Sequence, residues 1–372
     1  MTRILIASLM LALFGSLTTT STAQEDGKVL DKTKDEWLAL LQKKDEKPRM
    51  RKAAVIALGI FGPAKKDILP VLSQALATDG DEGVRLQIVV ILGQVPKNDL
   101  RDSLPVLAEV LKDDKSAAVK ASTARLMGVL GDLARPALMP LIGALKDPDA
   151  DVRAAAAETL GKIGPEAKSA VNDLLPLLKD ADPTVRFSAV FAFGRIGKDA
   201  SFMAPDLNVL LENDPSVDVR REAARVLGMI GGSAAKVVLP VLVKGLKEDK
   251  SEEVRRQMAL AVGKMGDIRG VVKDLFEVAR KDKDRTVRLY LVRAIPAAMG
   301  TSLKEFVKEY AEIFLNEPDG EVRLALIQEL SSMGAAAKDA LGVLQAARYD
   351  AILQIRELAR AAIEQVTAPP KK

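Results

Sequence analysis

The sequence predicts an all-α fold, a solenoid of about ten stacked helix–turn–helix units. Three observations carry this. One phrase recurs ten times at gaps of 33 to 35 residues, its apolar residues fall at helical spacing, and a second apolar segment, often marked by proline, precedes the copies. The phrase is Val152-Arg153-Ala-Ala-Ala-Ala-Glu-Thr-Leu160-Gly161-Lys-Ile163-Gly164. Its first residue appears as Met50, Val84, Val119, Val152, Val185, Val219, Val254, Val287, Val322 and Ile355, each followed by a basic residue, nine Arg and Lys120. With 55 basic residues in 372, ten such matches would arise by chance on the order of once in 10^8 trials.

The amino terminus reads as an export signal. Residues 1–23 hold one basic side chain, Arg3, an apolar run from Ile4 to Leu17, and small residues at Ser21 and Ala23 before Gln24. That order suits signal peptidase, and the run falls short of the roughly 20 apolar residues a spanning helix needs. Export to the periplasm or the medium follows, with no membrane attachment after cleavage. No Cys follows the run, which excludes a lipoprotein.

From Gln24 to Thr367 the repeat fills the chain. Apolar residues at 0, +4, +7, +8 and +11 of each phrase share one helix face; the +8 place runs from Leu58 and Leu92 to Leu330 and Ile363. The preceding helix shows as Ile68-Leu69-Pro70-Val71-Leu72, Ser103-Leu104-Pro105-Val106-Leu107, Leu138-Met139-Pro140-Leu141-Ile142 and Val238-Leu239-Pro240-Val241-Leu242. Proline there belongs in a first turn or makes a kink. An acidic turn then leads into the phrase, where Asp suits the positive end of a helix. A single pair buries too little apolar surface to stand alone, so stacking supplies the core. The ends depart from the pattern: Trp37 marks the first helix, and Pro296, Ser331 and Glu364 replace the first Gly of the Gly-x-x-Gly ending. Packing is expected to be less regular after about residue 290, and the tail, residues 368–372, to be unstructured.

These motifs, Leu-Pro-x-Leu, a turn Asp, then Val-Arg and Leu-Gly-x-Ile-Gly, resemble the HEAT repeat family over roughly residues 29–367. They are similar in particular to the short bacterial type also found in phycobilin lyase subunits and alkylpurine DNA glycosylases. The resemblance implies a right-handed α-solenoid, a superhelix of about ten HEAT-like helix–turn–helix repeats with the second helices on its concave side. It also implies a structural ladder of turn Asp and helix Arg between neighbours. The residues assigned to it are Asp79, Asp114, Asp147, Asp182, Asp214 and Asp249 with Arg85, Lys120, Arg153, Arg186, Arg220 and Arg255.

Composition removes much chemistry. With no Cys and no His, thiol nucleophiles, imidazole bases, disulfides and the usual zinc sites are excluded, as are the HEAT-type hydroxylases that bind two irons through His. The formal charge of +4 is too balanced to indicate nucleic acid. The Gly-x-x-Gly pairs, Gly228-Met-Ile-Gly-Gly-Ser233 included, end helices instead of opening a phosphate loop. Asp147, Asp149, Asp151 and Glu158 match part of a calcium loop, but Val152 stands where that loop needs Gly. No catalytic residue, metal ligand or cofactor is assigned.

The candidate site is the polar face of the second helices. Positions +2, +6 and +10 point away from the buried face. Position +6 reads Ile56, Val90, Arg125, Glu158, Phe191, Arg225, Leu260, Arg293, Gln328 and Ala361; Phe187, Arg221 and Arg256 stand at +2 and Arg195 at +10. Arg with aromatic anchors is the composition of binding hot spots. The alternative is that Phe187 and Phe191 fill a gap between helices while the arginines are merely solvated. The favoured function is a monomeric, non-enzymatic scaffold that binds a protein or peptide with an acidic segment along the concave face, with no small-molecule substrate and no nucleic acid. The alternatives are a HEAT-like lyase subunit or other enzyme accessory protein, and polyanion binding through an Arg-rich groove.

Overall fold

An Asp or Ser starts most of the repeated helices and a glycine ends them. Asp81, Ser116, Asp149 and Asp319 each accept a hydrogen bond from a backbone N–H of the first turn, satisfying donors that have no partner within the helix. At the other end Gly62, Gly131, Gly164, Gly197, Gly231, Gly266 and Gly334 all adopt φ between 56° and 112°, a region open to glycine and costly for a side chain.

The computed structural model describes residues 28–62, 66–197, 202–299 and 304–368. The export signal over residues 1–23, and the tail of 368–372 apart from Ala368, lie outside them. The chain divides into two compact units, Met1–Ile196 and Gly197–Lys372, where the sequence suggests one uninterrupted array.

The first unit opens with a two-stranded antiparallel hairpin, β1 (Lys28–Val29) and β2 (Lys32–Thr33). It continues through α1 (Lys34–Gln42), α2 (Pro48–Phe61), α3 (Leu69–Thr78), α4 (Glu82–Leu92), α5 (Leu104–Asp113), α6 (Ala117–Leu130), α7 (Leu138–Ala144), α8 (Ala150–Ile163), α9 (Val171–Leu174) and α10 (Pro183–Ile196). The second unit holds α11 (Ala204–Asn213), α12 (Val217–Ile230), α13 (Ala235–Glu248), α14 (Glu252–Val262), α15 (Val272–Lys281), α16 (Arg285–Met299), α17 (Val307–Asn316), α18 (Gly320–Ser332), α19 (Leu341–Ala347) and α20 (Leu353–Thr367). The architecture is an all-α solenoid. Even-numbered helices pack on one another in sequence within each unit, and first helices form a second row beside them.

The core lies between the two rows. Every phrase-opening residue from Val84 to Ile355 is at most 1% exposed, as is every +8 residue from Leu58 to Leu330. The first Gly of each pair sets how near successive second helices come. A Cβ on Gly161 would stand 2.9 Å from the Ala192 Cα, and one on Gly228 3.0 Å from the Ala261 Cα. The hairpin closes the start of the first unit: the Trp37 indole N–H donates to the Val29 carbonyl at 2.9 Å, and both residues are buried.

The stretch Ala117–Ala144 is long and apolar enough to cross a membrane by composition. It is not one rod, since Gly131 at φ 61° separates α6 from the segment leading into α7.

Candidate protein-docking surface

What fixes the second helices is a ladder along their N-terminal ends. Arg85 is typical. Its Nη1 donates back to the Asp79 carbonyl at 2.8 Å, while Nε and Nη2 grip the Asp114 carboxylate of the following turn at 2.7 and 2.9 Å. Arg51–Asp79, Arg153–Asp180, Arg220–Asp249, Arg255–Asp282, Arg288–Glu317 and Arg323–Asp350 repeat the two-point contact, and Lys120 reaches Asp147 with its single ammonium at 3.1 Å. The planar guanidinium matches a carboxylate fork in a way an ammonium does not. Each carboxylate also accepts the backbone N–H two residues on, as Asp114 does from Ser116. Burial pushes the Asp79 carboxyl up, but the Arg51 fork and the Asp81 N–H outweigh it and hold it below its ordinary value.

Two corrections follow. Asp182 is no rung: it caps α10 by accepting from the Thr184 and Val185 N–H groups, and Asp180 takes the ladder place. Asp79 gives its carboxylate to Arg51 and only its carbonyl to Arg85, so a carboxylate serves the Arg of the repeat before it. Asp180, Asp282, Glu317 and Asp350 escaped the sequence assignment, although each stands six residues before a helix Arg, the one spacing common to all rungs. The ladder also runs past residue 290 without interruption.

On the outward face of the first unit, Arg125 and Arg195 are exposed, while Phe187 and Phe191 are half-buried. The Phe191 ring lies over Gly161, where an added Cβ would meet ring carbons at 2.9 Å; it fills the room that glycine leaves on α8. Ile56, expected on this face, is buried. Val90 is 60% and Val129 43% exposed, so the apolar side chains on view here are the valines.

In the second unit Arg221, Arg225 and Arg256 are half-buried and Arg293 is exposed. Three of them carry their own counter-ions. Arg221 pairs with Asp218 and Glu253 at 2.7 and 2.8 Å, Arg225 with the buried Glu222, and Arg256 with Asp284 at 2.6 Å and Glu252 at 3.1 Å. The Arg256 guanidinium, aided by the Val287 N–H, holds the Asp284 carboxyl down at about 2. In the first unit Arg125 stands 3.8 Å from Asp151, and Lys162 pairs with Glu158 at 2.7 Å. Among the described residues, Arg195 and Arg293 alone of the six candidate arginines have no carboxylate in ion-pair range. Met229 and Leu260, 44% and 41% exposed, are the apolar side chains on this face. The arrangement suits contact and binding; among the described residues it brings no nucleophile, base and orienting group together.

No curated protein matches the chain. Several solved structures resemble it. Yeast importin-beta, Kap95p, is 15% identical with a TM-score of 0.59, covering 98% of this chain and 53% of that one. The karyopherin Kap121p, bound to the extreme C-terminus of the protein phosphatase Cdc14p, is 14% identical with a TM-score of 0.54, covering 90% and 41%. The chain thus spans about half the length of these karyopherins. Escherichia coli YibA is 23% identical with a TM-score of 0.51, covering 72% of this chain and 92% of that one. At these identities the likeness speaks for the fold. The sequence model of HEAT repeats matches residues 34–128, 138–204 and 204–296, and with a ladder joining one helix pair to the next, this chain belongs to the HEAT repeat family.

Proposed function

We propose that this protein is an exported scaffold without chemistry of its own, which binds a protein or peptide through the outward stripe of its second helices. One observation carries this. The stripe exposes apolar side chains at equivalent places on several repeats, Val90 and Val129 in the first unit, Met229 and Leu260 in the second, where a purely solvated helix face would be polar. The half-buried Phe187 and Phe191 add area. Arg195 and Arg293, which have no carboxylate in ion-pair range among the described residues, are the cations left to meet an acidic segment; the other candidate arginines are largely neutralised from within, which weakens polyanion binding. Distributed contact along repeats is what a solenoid offers, and Kap121p, similar in fold, is bound to the end of another protein. Export rests on the composition of residues 1–23.

The test is a photo-reactive residue placed in turn at Val90, Val129, Met229 and Leu260, with Met139 and Val237 of the first-helix row as controls. Adducts from the stripe alone are expected; equal yields from both rows overturn the assignment. Amino-terminal sequencing of the mature protein should begin at Gln24, and an intact Met1 on a cytoplasmic protein overturns export.

A further inference from the structure

We infer that copies of this chain join head to tail, the turn before α20 of one copy receiving the turn before α2 of a second. All ten phrases have a carboxylate six residues before the basic residue of the helix, from Asp45 before Arg51 to Asp350 before Arg356. Eight described rungs join successive phrases, and Arg186 and Asp214 are both buried and engaged. One fork and one carboxylate are left over. Arg356 holds the ladder pose, with Nη1 donating to the Asp350 and Ala351 carbonyls at 2.7 and 3.0 Å, as Arg153 does to Asp147 and Pro148. Its Nε and Nη2 edge meets no carboxylate among the described residues. Asp45 is exposed and meets no cation among them, and the Lys47 N–H goes to Glu46 instead, at 3.0 Å. A guanidinium already oriented and a carboxylate at rung spacing combine with little further ordering.

Contacts between successive repeats show what else a second copy would meet there, with places counted from the first residue of each phrase. Place +2 reaches place −3 of the next repeat, as Arg256 reaches Asp284 at 2.6 Å. At the junction this sets Glu357 against Lys47 of the second copy, both exposed and opposite in charge. Place −2 also meets place −3, as Glu82 meets Ser116 at 2.8 Å, so Leu353, 58% exposed, lies along the Lys47 stem. Place −6 meets place −12, as Lys146 meets Asp173 at 3.1 Å. This brings Tyr349, 84% exposed where the other turns carry a polar residue from Lys44 to Asn316, to the half-buried Leu38 on α1. Charge and apolar surface on the two turns thus match each other. Ala57, in the place that Ala192 takes against Gly161, is already buried, so the junction is confined to the ladder edge. Contact of that extent makes a reversible assembly, where the sequence alone suggests a monomer.

The test is sedimentation of the full chain, whose average mass should rise with concentration and fall with added salt. Arg356→Gln and Asp45→Asn should each weaken association about tenfold and melt with the parent, since no internal rung is broken. Arg356→Glu and Asp45→Arg should each fail to associate alone and associate when mixed. Changes at Val90 and Leu260 should leave assembly intact, separating it from the stripe. In the producing cells a photo-reactive residue at Tyr349 should mark α1 of a second copy. A parent that stays monomeric up to about 1 mM, association indifferent to Arg356→Gln or Asp45→Asn, a mixture that fails to associate, or a Tyr349 adduct to a different protein overturns the inference.

Discussion

The Tyr310 hydroxyl donates to the Val292 carbonyl at 3.1 Å, the acceptor that Pro296 leaves without its helical donor. Proline lacks an N–H, so the carbonyl four residues earlier in α16 loses its bond. Tyr310 on α17 is fully buried and supplies it. Burial, with a smaller contribution from the charge of Glu329, pushes the phenol well above its ordinary value, so it remains a donor at every physiological pH. Tyr310→Phe should cost about 1–2 kcal/mol, measured by urea unfolding. In a Pro296→Ala background, where the backbone donor returns, the same change should cost clearly less.

Ladder rungs should matter far more than the numerous surface pairs. Arg255 and Asp282 are almost wholly enclosed, with side-chain exposures of 14% and 4%. Arg255→Gln leaves that carboxylate without its cation and should destabilise by about 2–4 kcal/mol. Arg269→Gln, which breaks the exposed pair with Asp267, should leave the melting temperature unchanged.

Stability should change little from pH 5 to 8 and fall in acid. The rung carboxyls Asp79, Asp180 and Asp350 are held below their ordinary values, and Asp284 at about 2. A depressed carboxyl contributes its full stability above its unfolded value, about 4, and loses it as pH drops through the folded one. Thermal melts should therefore decline between about pH 4 and 2.

Glu329 has the opposite sign. Burial raises its carboxyl, and the Arg293 charge offsets this only in part. Its contribution is present below its unfolded value and lost as pH rises through the folded one. Ala stands at this place in α2, α10, α14, α16 and α20. Glu329→Ala should raise stability at pH 7, by under about 1 kcal/mol because water still reaches the group, and should change it less at pH 4.

Gly161→Ala should destabilise by about 1–3 kcal/mol, since its Cβ meets both the Phe191 ring and the Ala192 Cα at 2.9 Å. Adding Phe191→Ala should recover only part, as the backbone contact remains; calorimetry of the three variants decides.

The repeat, the helix pairs and the role of the paired glycines were legible because all rest on local periodicity. Side-chain direction was legible too: Arg125, Arg293, Val90 and Leu260 face outward. What stands opposite a side chain was not. Glu253 and Asp284 reach Arg221 and Arg256 from 28 to 32 residues away, invisible to a count along one helix. Ile56 belongs to the end repeat, whose surroundings differ from those of its counterparts. Asp182 misled because two aspartates flank Ala181, and only the six-residue interval to Arg186 separates rung from cap.

Since every described Arg rung spans adjacent turns through the same pair of contacts, excising one helix pair between two of them would bring together a fork and a carboxylate that already fit. Such an architecture can lengthen or shorten by duplication and loss without redesign at the junction. The number of copies is then free to drift under selection on reach, while each joint keeps its form.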